Sequence, residues 1–168
     1  MYKQQLLNNI EKEINICRRL STMIPPDQMN YRPKEGVRST LELLQYLGCI
    51  GSMMLSYWLK EENTDFGTFY GTKIDLSKAM PHEHFLTVMD EQLATIGDLF
   101  NQVSEEDLFH KEITYPWNGV KAPLGEAIIA TSIKWLSAYK LQLFLFLKLC
   151  GDEQLTTADA WMLTELSS

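Results

Sequence analysis

Ser39-Thr40-Leu41-Glu42-Leu43-Leu44-Gln45-Tyr46-Leu47-Gly48-Cys49-Ile50-Gly51-Ser52-Met53-Met54-Leu55-Ser56-Tyr57-Trp58-Leu59-Lys60 is the stretch that decides the fold. Ser39, with Glu42 three positions later, forms a capping box directly ahead of an apolar run, the mark of a helix start. From Leu43 onward nearly every position is apolar, aromatic or small, so this helix has no broad polar face. A helix that is apolar all round is a buried helix. It is therefore either central in a bundle or covered by a second subunit. Its uncharged part, Leu43 to Leu59, is interrupted by Gln45, Gly48, Gly51, Ser52 and Ser56. That run is too short and too polar for a membrane span.

On the N-terminal side, Leu6, Leu7, Ile10, Ile14, Cys17 and Leu20 recur at three- and four-residue steps, which predicts a helix from about Tyr2 to Met23. Pro25 and Pro26 end it, and Pro33 and Gly36 keep Asp27 to Arg38 irregular. On the C-terminal side, Glu61 to Lys78 is rich in Asn, Asp, Gly and Thr and reads as a long connection. Its Phe66, Phe69 and Tyr70 predict that it packs down on the bundle. A third helix is expected from near Pro81 to about Val103, through Phe85, Val88, Met89, Leu93, Ile96 and Phe100. One more short turn, Ser104 to Phe109, follows. Lys111 to Lys121 breaks the helical period, and Asn118-Gly119 is a hairpin-turn pair, so a small hairpin or a loop is expected there. The last long helix runs from near Leu124 to Cys150 and stops at Gly151. A short final helix, roughly Thr157 to Leu166, completes the chain. The fold class is all-α: a single-domain four-helix bundle over 1–168, with a hairpin or loop before the last long helix and a short C-terminal helix.

The 168 residues carry a formal charge of −7, and Lys and Arg are scattered. Phosphate-backbone binders concentrate positive charge on one face, so a nucleic-acid partner is disfavoured. The only basic concentration is Arg32, Lys34 and Arg38, just ahead of the second helix. Its N-terminal amides favour an anion there, against the plainer reading of a solvated loop. Three cysteines, Cys17, Cys49 and Cys150, sit far apart in apolar helices and read as free buried thiols in a reducing compartment. Met1 to Ile10 lacks a signal-peptide core, so the expected location is the cytoplasm. Gly48, Ser52 and Ser56 fall at four-residue steps and permit another helix to approach, from within the fold or from a second copy.

Catalytic motifs are sparse. His82 and His84 lie two residues apart, about 200° around a helix, and cannot share a metal. His110 has no partner in sequence. Glu61-Glu62 and Glu105-Glu106 sit at helix ends, where acidic pairs are usually solvated. No nucleophile elbow, phosphate-binding glycine loop or Cys-x-x-Cys occurs.

Two segments nevertheless carry a resemblance. Arg38-Ser39-Thr40-Leu41-Glu42-Leu43-Leu44-Gln45-Tyr46-Leu47 resembles the start of helix two in DinB/YfiT-like bundle proteins. Trp135-Leu136-Ser137-Ala138-Tyr139-Lys140-Leu141-Gln142-Leu143, then Lys148-Leu149-Cys150-Gly151, resembles the end of that family's last long helix. The resemblance implies a four-helix bundle, in a family named for DNA-damage induction, with three metal-binding histidines. Those histidines fall here on Tyr46, Trp135 and Tyr139. An indole offers no lone pair to a metal and a neutral phenol is a poor ligand, so neither a metal nor any other cofactor is expected.

Helical spacing points to the same place independently. Trp135, Tyr139, Gln142 and Phe146 share one face, as do Leu43, Tyr46, Ile50 and Met53. If the two faces meet, Tyr46, Ile50, Met53, Trp135, Tyr139, Gln142 and Phe146 line a chamber suited to a small apolar or aromatic ligand, or else fill the core. No catalytic residue is assigned. The expected protein is a metal-free, non-enzymatic or ligand-binding homodimer, its dimer face including Leu141 and Leu145 on the arc with Lys134, Ser137 and Lys148. The alternative is a metal-dependent transferase or isomerase of the thiol S-transferase kind with atypical ligands, or a metal-free enzyme using Tyr or Cys49.

Overall fold

A computed structural model describes residues 1–60, 64–150 and 154–162. Its α-helices are α1 (Tyr2–Thr22), α2 (Thr40–Lys60), α3 (Phe66–Lys78), α4 (Phe85–Asn101), α5 (Glu105–His110), α6 (Leu124–Ile128), α7 (Lys134–Leu149) and α8 (Thr157–Trp161). The strands β1 (Glu112–Thr114) and β2 (Lys121–Pro123) form an antiparallel hairpin in which Ile113 faces Ala122. Gly119 takes a positive φ of 71° in its turn, the conformation for which glycine has no steric penalty.

Four long helices close a ring: α2 packs on α4, α4 on α1, α1 on α7, and α7 back on α2. The all-α bundle expected from the periodicity is present. The capping box forms as read: Glu42 N donates to Ser39 Oγ at 3.2 Å, and Ser39 N donates to Glu42 Oε2 at 2.8 Å. Such a cap contributes about 1 kcal/mol. The short α5 is capped the same way by Ser104 and Asp107.

The connection expected over Glu61–Lys78 is instead largely helix α3. Glycine and threonine concealed it, because their helix propensity is low and only Phe69 is buried. Its ends are held by side chains: Asp65 accepts from Thr68 N at 2.9 Å, and Gln45 of α2 donates to the carbonyls of Lys78 and Met80 at 2.8 and 3.0 Å. Phe66 packs edge-on against Tyr57 with ring centroids 5.1 Å apart, so these aromatics do tie the segment to the bundle.

Other boundaries shift less. The third helix of the sequence reading begins with a 3₁₀ turn, His82–His84, and becomes α-helical only at Phe85, ending at Asn101. The last long helix contains a π turn, Ile129–Ile133, between α6 and α7. The final helix ends at Trp161, and the rest of its expected span lies outside the described residues, as do Gly151 and the Glu61-Glu62 pair. Among the described residues, no helix is long and apolar enough to cross a membrane.

The apolar girth of α2 has an internal explanation. It is covered by α4, α3, α7 and the π turn, and Leu43, Leu44, Leu47, Ile50, Met54 and Leu55 are buried. Gly48 is part of that packing, since a Cβ there would stand 3.0 Å from Val88 Cγ1 of α4. Next to it, Gln92 of α4 reaches into α2: its amide donates to Leu47 O at 3.0 Å and accepts from Ser52 N at 3.1 Å. The stripe of small residues is therefore an internal seam.

Candidate functional site

The candidate site lies where the N-terminal half of α2 meets α7 and α3. Tyr46 and Tyr139 face each other edge-on, with ring centroids 4.9 Å apart. The guanidinium of Arg38 lies over both rings, 4.2 Å from the Tyr46 centroid and 5.4 Å from that of Tyr139. Beside Tyr46 is a hollow of about 330 Å³ lined by Arg38, Glu42, Gln45, Tyr46, Tyr70, Ile74, Ser77 and Lys78.

The seven residues read from the sequence do not share one chamber. Tyr46 lines this hollow, and Met53 lines a neighbouring groove of about 290 Å³ between α2, α3 and α4. Ile50 and Phe146 are buried in the core, where Phe146 meets Tyr31 edge-on. Gln142 is half-buried on α7. Trp135 turns toward the hairpin, where Trp117 approaches it to 5.9 Å between ring centroids. Trp117 in turn contacts Tyr115 and Phe66, extending the aromatic wall across the hairpin and α3. Trp117 was not singled out from sequence, and Tyr70 was read only as packing its segment on the bundle, since each lies outside the two helices whose spacing pointed to the site.

The basic loop cluster divides too. Arg32 donates to Glu42 at 3.0 Å and also to the Val37 carbonyl, while Lys34 is exposed. The first amides of α2 are all occupied: Thr40 N and Leu41 N donate to the carbonyls of Tyr31 and Met29, and Glu42 N to Ser39. An anion therefore has no free helix terminus to bind here. Arg38 is different. Lys78 pairs with Asp75 and Arg32 with Glu42, but Arg38 forms no ion pair among the described residues.

Burial, and then the neighbouring phenols of Tyr70 and Tyr139, push the Tyr46 hydroxyl well above the ordinary phenol range, with Arg38 pulling the other way. As donors for a divalent cation, Tyr46, Trp135 and Tyr139 do not fit. The indole has no lone pair to give, the Tyr46 phenol resists ionisation, and a guanidinium already covers both phenol rings. Among the described residues, no three His, Cys, Asp or Glu side chains converge as a metal-binding group. Nor is Cys49 an activated nucleophile: burial pushes its thiol up to about 11, outweighing the Ser77 hydrogen bond and the charges of Lys73 and Arg38.

Glu105 departs from the reading of a solvated pair. It caps α1, accepting from Tyr2 N at 2.6 Å and from the N-terminal ammonium at 3.0 Å, which holds its carboxyl below the usual range.

An α2/α4/α1/α7 ring with a side helix, a hairpin and an aromatic seam defines the class: an all-α bundle of the DinB-like type. A DinB-like protein of Bacillus subtilis, YjoA, superposes with a TM-score of 0.68 at 19% identity, covering 90% of this chain and 96% of that one. Mycothiol-dependent maleylpyruvate isomerase superposes with a TM-score of 0.59 at 12% identity, covering 89% of this chain and 60% of that one. A point mutant of the isomerase gives the same TM-score at 11% identity, covering 84% and 59%. No family model and no curated protein matches the chain. At these identities the likeness is one of fold, and the fold is DinB-like.

Proposed function

We propose that this protein is a metal-free DinB-like bundle that binds a small apolar or aromatic ligand and works as a homodimer. The observation that carries the reading is the Arg38 guanidinium over Tyr46 and Tyr139. Positive charge at this point comes from a side chain. Of the seven residues read from the sequence, Tyr46 lines the hollow, beside Arg38, Tyr70 and Ile74, and Tyr139 packs against Tyr46. Apolar and aromatic surface with a few convergent polar groups is the ordinary composition of small-molecule sites. The raised Cys49 thiol speaks against a nucleophilic enzyme. Elemental analysis of protein purified without chelator should find far less than one equivalent of zinc or nickel per chain. Stoichiometric metal would overturn the reading.

The dimer rests on the outer face of α7. Leu141, Leu145 and Leu149 are 39%, 48% and 62% exposed at four-residue steps, and Ile129 and Trp161 add to the apolar surface nearby. Solvated apolar stripes of this kind mark interaction sites on soluble bundles. Sedimentation equilibrium should give twice the chain mass at micromolar concentration, and Leu145→Glu should halve it. A monomeric parent would remove this part.

A further inference from the structure

The hollow beside Tyr46 has a polarity that narrows what it can hold. Four of its lining residues, Glu42, Lys78, Gln45 and Arg38, carry strong polar groups, and three of those are already satisfied. Glu42 accepts from Arg32 and from Ser39 N, Lys78 pairs with Asp75 at 2.9 Å, and Gln45 donates to two carbonyls. Alone of the charged groups here, Arg38 forms no ion pair among the described residues; the Glu42 carboxylate feels its charge but is hydrogen-bonded to Arg32. The Arg38 guanidinium carbon lies 4.2 Å from the Tyr46 ring centroid, and no hydrogen bond among the described residues takes up its N–H donors, which are left for another partner. A guanidinium fork with free donors can make two parallel hydrogen bonds to a carboxylate. A cationic ligand would meet Arg38 over the very rings it would need.

Resting on the ligand-binding reading above, we propose that the ligand is a small aromatic or other planar carboxylate. Its carboxylate pairs with the Arg38 edge, and its apolar body lies in the hollow against Tyr46, Tyr70 and Ile74. The volume of about 330 Å³ admits a single substituted ring. Glu42 does not repel such a ligand strongly, because Arg32 pairs with it at 3.0 Å.

Titration of the full chain with benzoate, followed by amide chemical shifts of Tyr46, Tyr70 and Ser77, tests this. Benzoate should bind with a dissociation constant on the order of 1 mM. Arg38→Gln should weaken it about tenfold or more, and Arg38→Lys by several-fold, because the charge remains while the fork is lost. The exposed Lys34→Gln should change nothing. Benzamide, equal in shape and neutral, should bind about tenfold more weakly than benzoate. Equal binding of benzamide would overturn the carboxylate anchor while leaving the apolar hollow standing. Equal binding of inorganic phosphate would show that charge alone is recognised and would overturn the planar class. Absence of binding by benzoate and benzamide up to roughly 20 mM would overturn both this inference and the ligand-binding reading. Equal weakening by Lys34→Gln would replace the fork with general surface charge and likewise overturn it.

Discussion

Of the three cations that lie over aromatic rings among the described residues, Lys140 and Arg38 differ most sharply in the rest of their surroundings. Lys140 is 1% exposed; its ammonium sits 2.8 Å from Glu13 Oε2 and 5.4 Å from the Trp161 ring centroid. The short α8 covers it, tied down by an ion pair between Arg19 and Asp159 and by Trp161 against Phe144. Arg38 is half-buried, lies over Tyr46 and Tyr139, and has no carboxylate partner among the described residues. Both make cation–π contacts, yet one charge is closed inside the fold and the other faces a hollow. A buried cation must be paired, because its desolvation is too costly otherwise. A cation at the rim of a cavity is under no such demand, and a fold that leaves it unpaired leaves it able to bind.

The difference should be largest in stability. Lys140→Met leaves the Glu13 carboxylate without its partner inside α1, and should lower the free energy of urea unfolding by about 3 kcal/mol or more. Glu13→Leu added to Lys140→Met should restore most of that loss, since an apolar pair of similar volume replaces a buried ion pair at little cost. A single variant costing less than about 1 kcal/mol would break the distinction, for Lys140 would then be as dispensable to the fold as a rim charge.

Arg38→Gln supplies the other arm. Only cation–π contact and the packing of its stem are lost, so unfolding should shift by about 1 kcal/mol. A loss as large as that of Lys140→Met would make Arg38 structural and would remove the reason for assigning it a ligand. The intermediate case is informative as well. If Tyr139→Leu and Arg38→Gln are non-additive by more than about 0.5 kcal/mol, the cation and the phenol pair act as one unit.

Much of this arrangement is legible along the chain, and what is not has a physical cause. The capping box at Ser39–Glu42, the apolar α2 and the hairpin at Asn118-Gly119 are local patterns, and local patterns survive folding. The meeting of Tyr46 with Tyr139 follows from helical spacing on two separate helices. Helix α3 escaped because its residues would not form a stable helix by propensity; Gln45, more than twenty residues earlier, caps its end. Trp135 was placed in the chamber by its spacing from Tyr139, but a Trp117 supplied by the hairpin draws it toward that side. Arg38 read as one of three loop cations. What separates it from Arg32 is Glu42, which takes one guanidinium and leaves the other, and that selection is made only in three dimensions.

The smallest expected effect tests whether the charge of Arg38 reaches its neighbours. Cys49, on the groove next to the hollow, has its thiol pushed up to about 11 by burial, and Arg38 is one of the charges that oppose the rise. A raised thiol is protonated through neutrality, so at pH 8 only about one Cys49 in a thousand is thiolate, against roughly one in four for an unperturbed cysteine. Peptide-resolved alkylation by iodoacetamide should therefore be at least about a hundredfold slower at Cys49 than at a free thiol, and should rise steeply only toward pH 11. Removing a cation that favours thiolate raises the thiol further. Arg38→Gln should thus slow Cys49 alkylation, by less than about twofold across a partly wet hollow. Faster alkylation would mean that the substitution had opened the groove, so that Arg38 was holding α2 and α3 together. In that event the two cations would share one structural task, and the contrast between the closed charge and the available one would no longer hold.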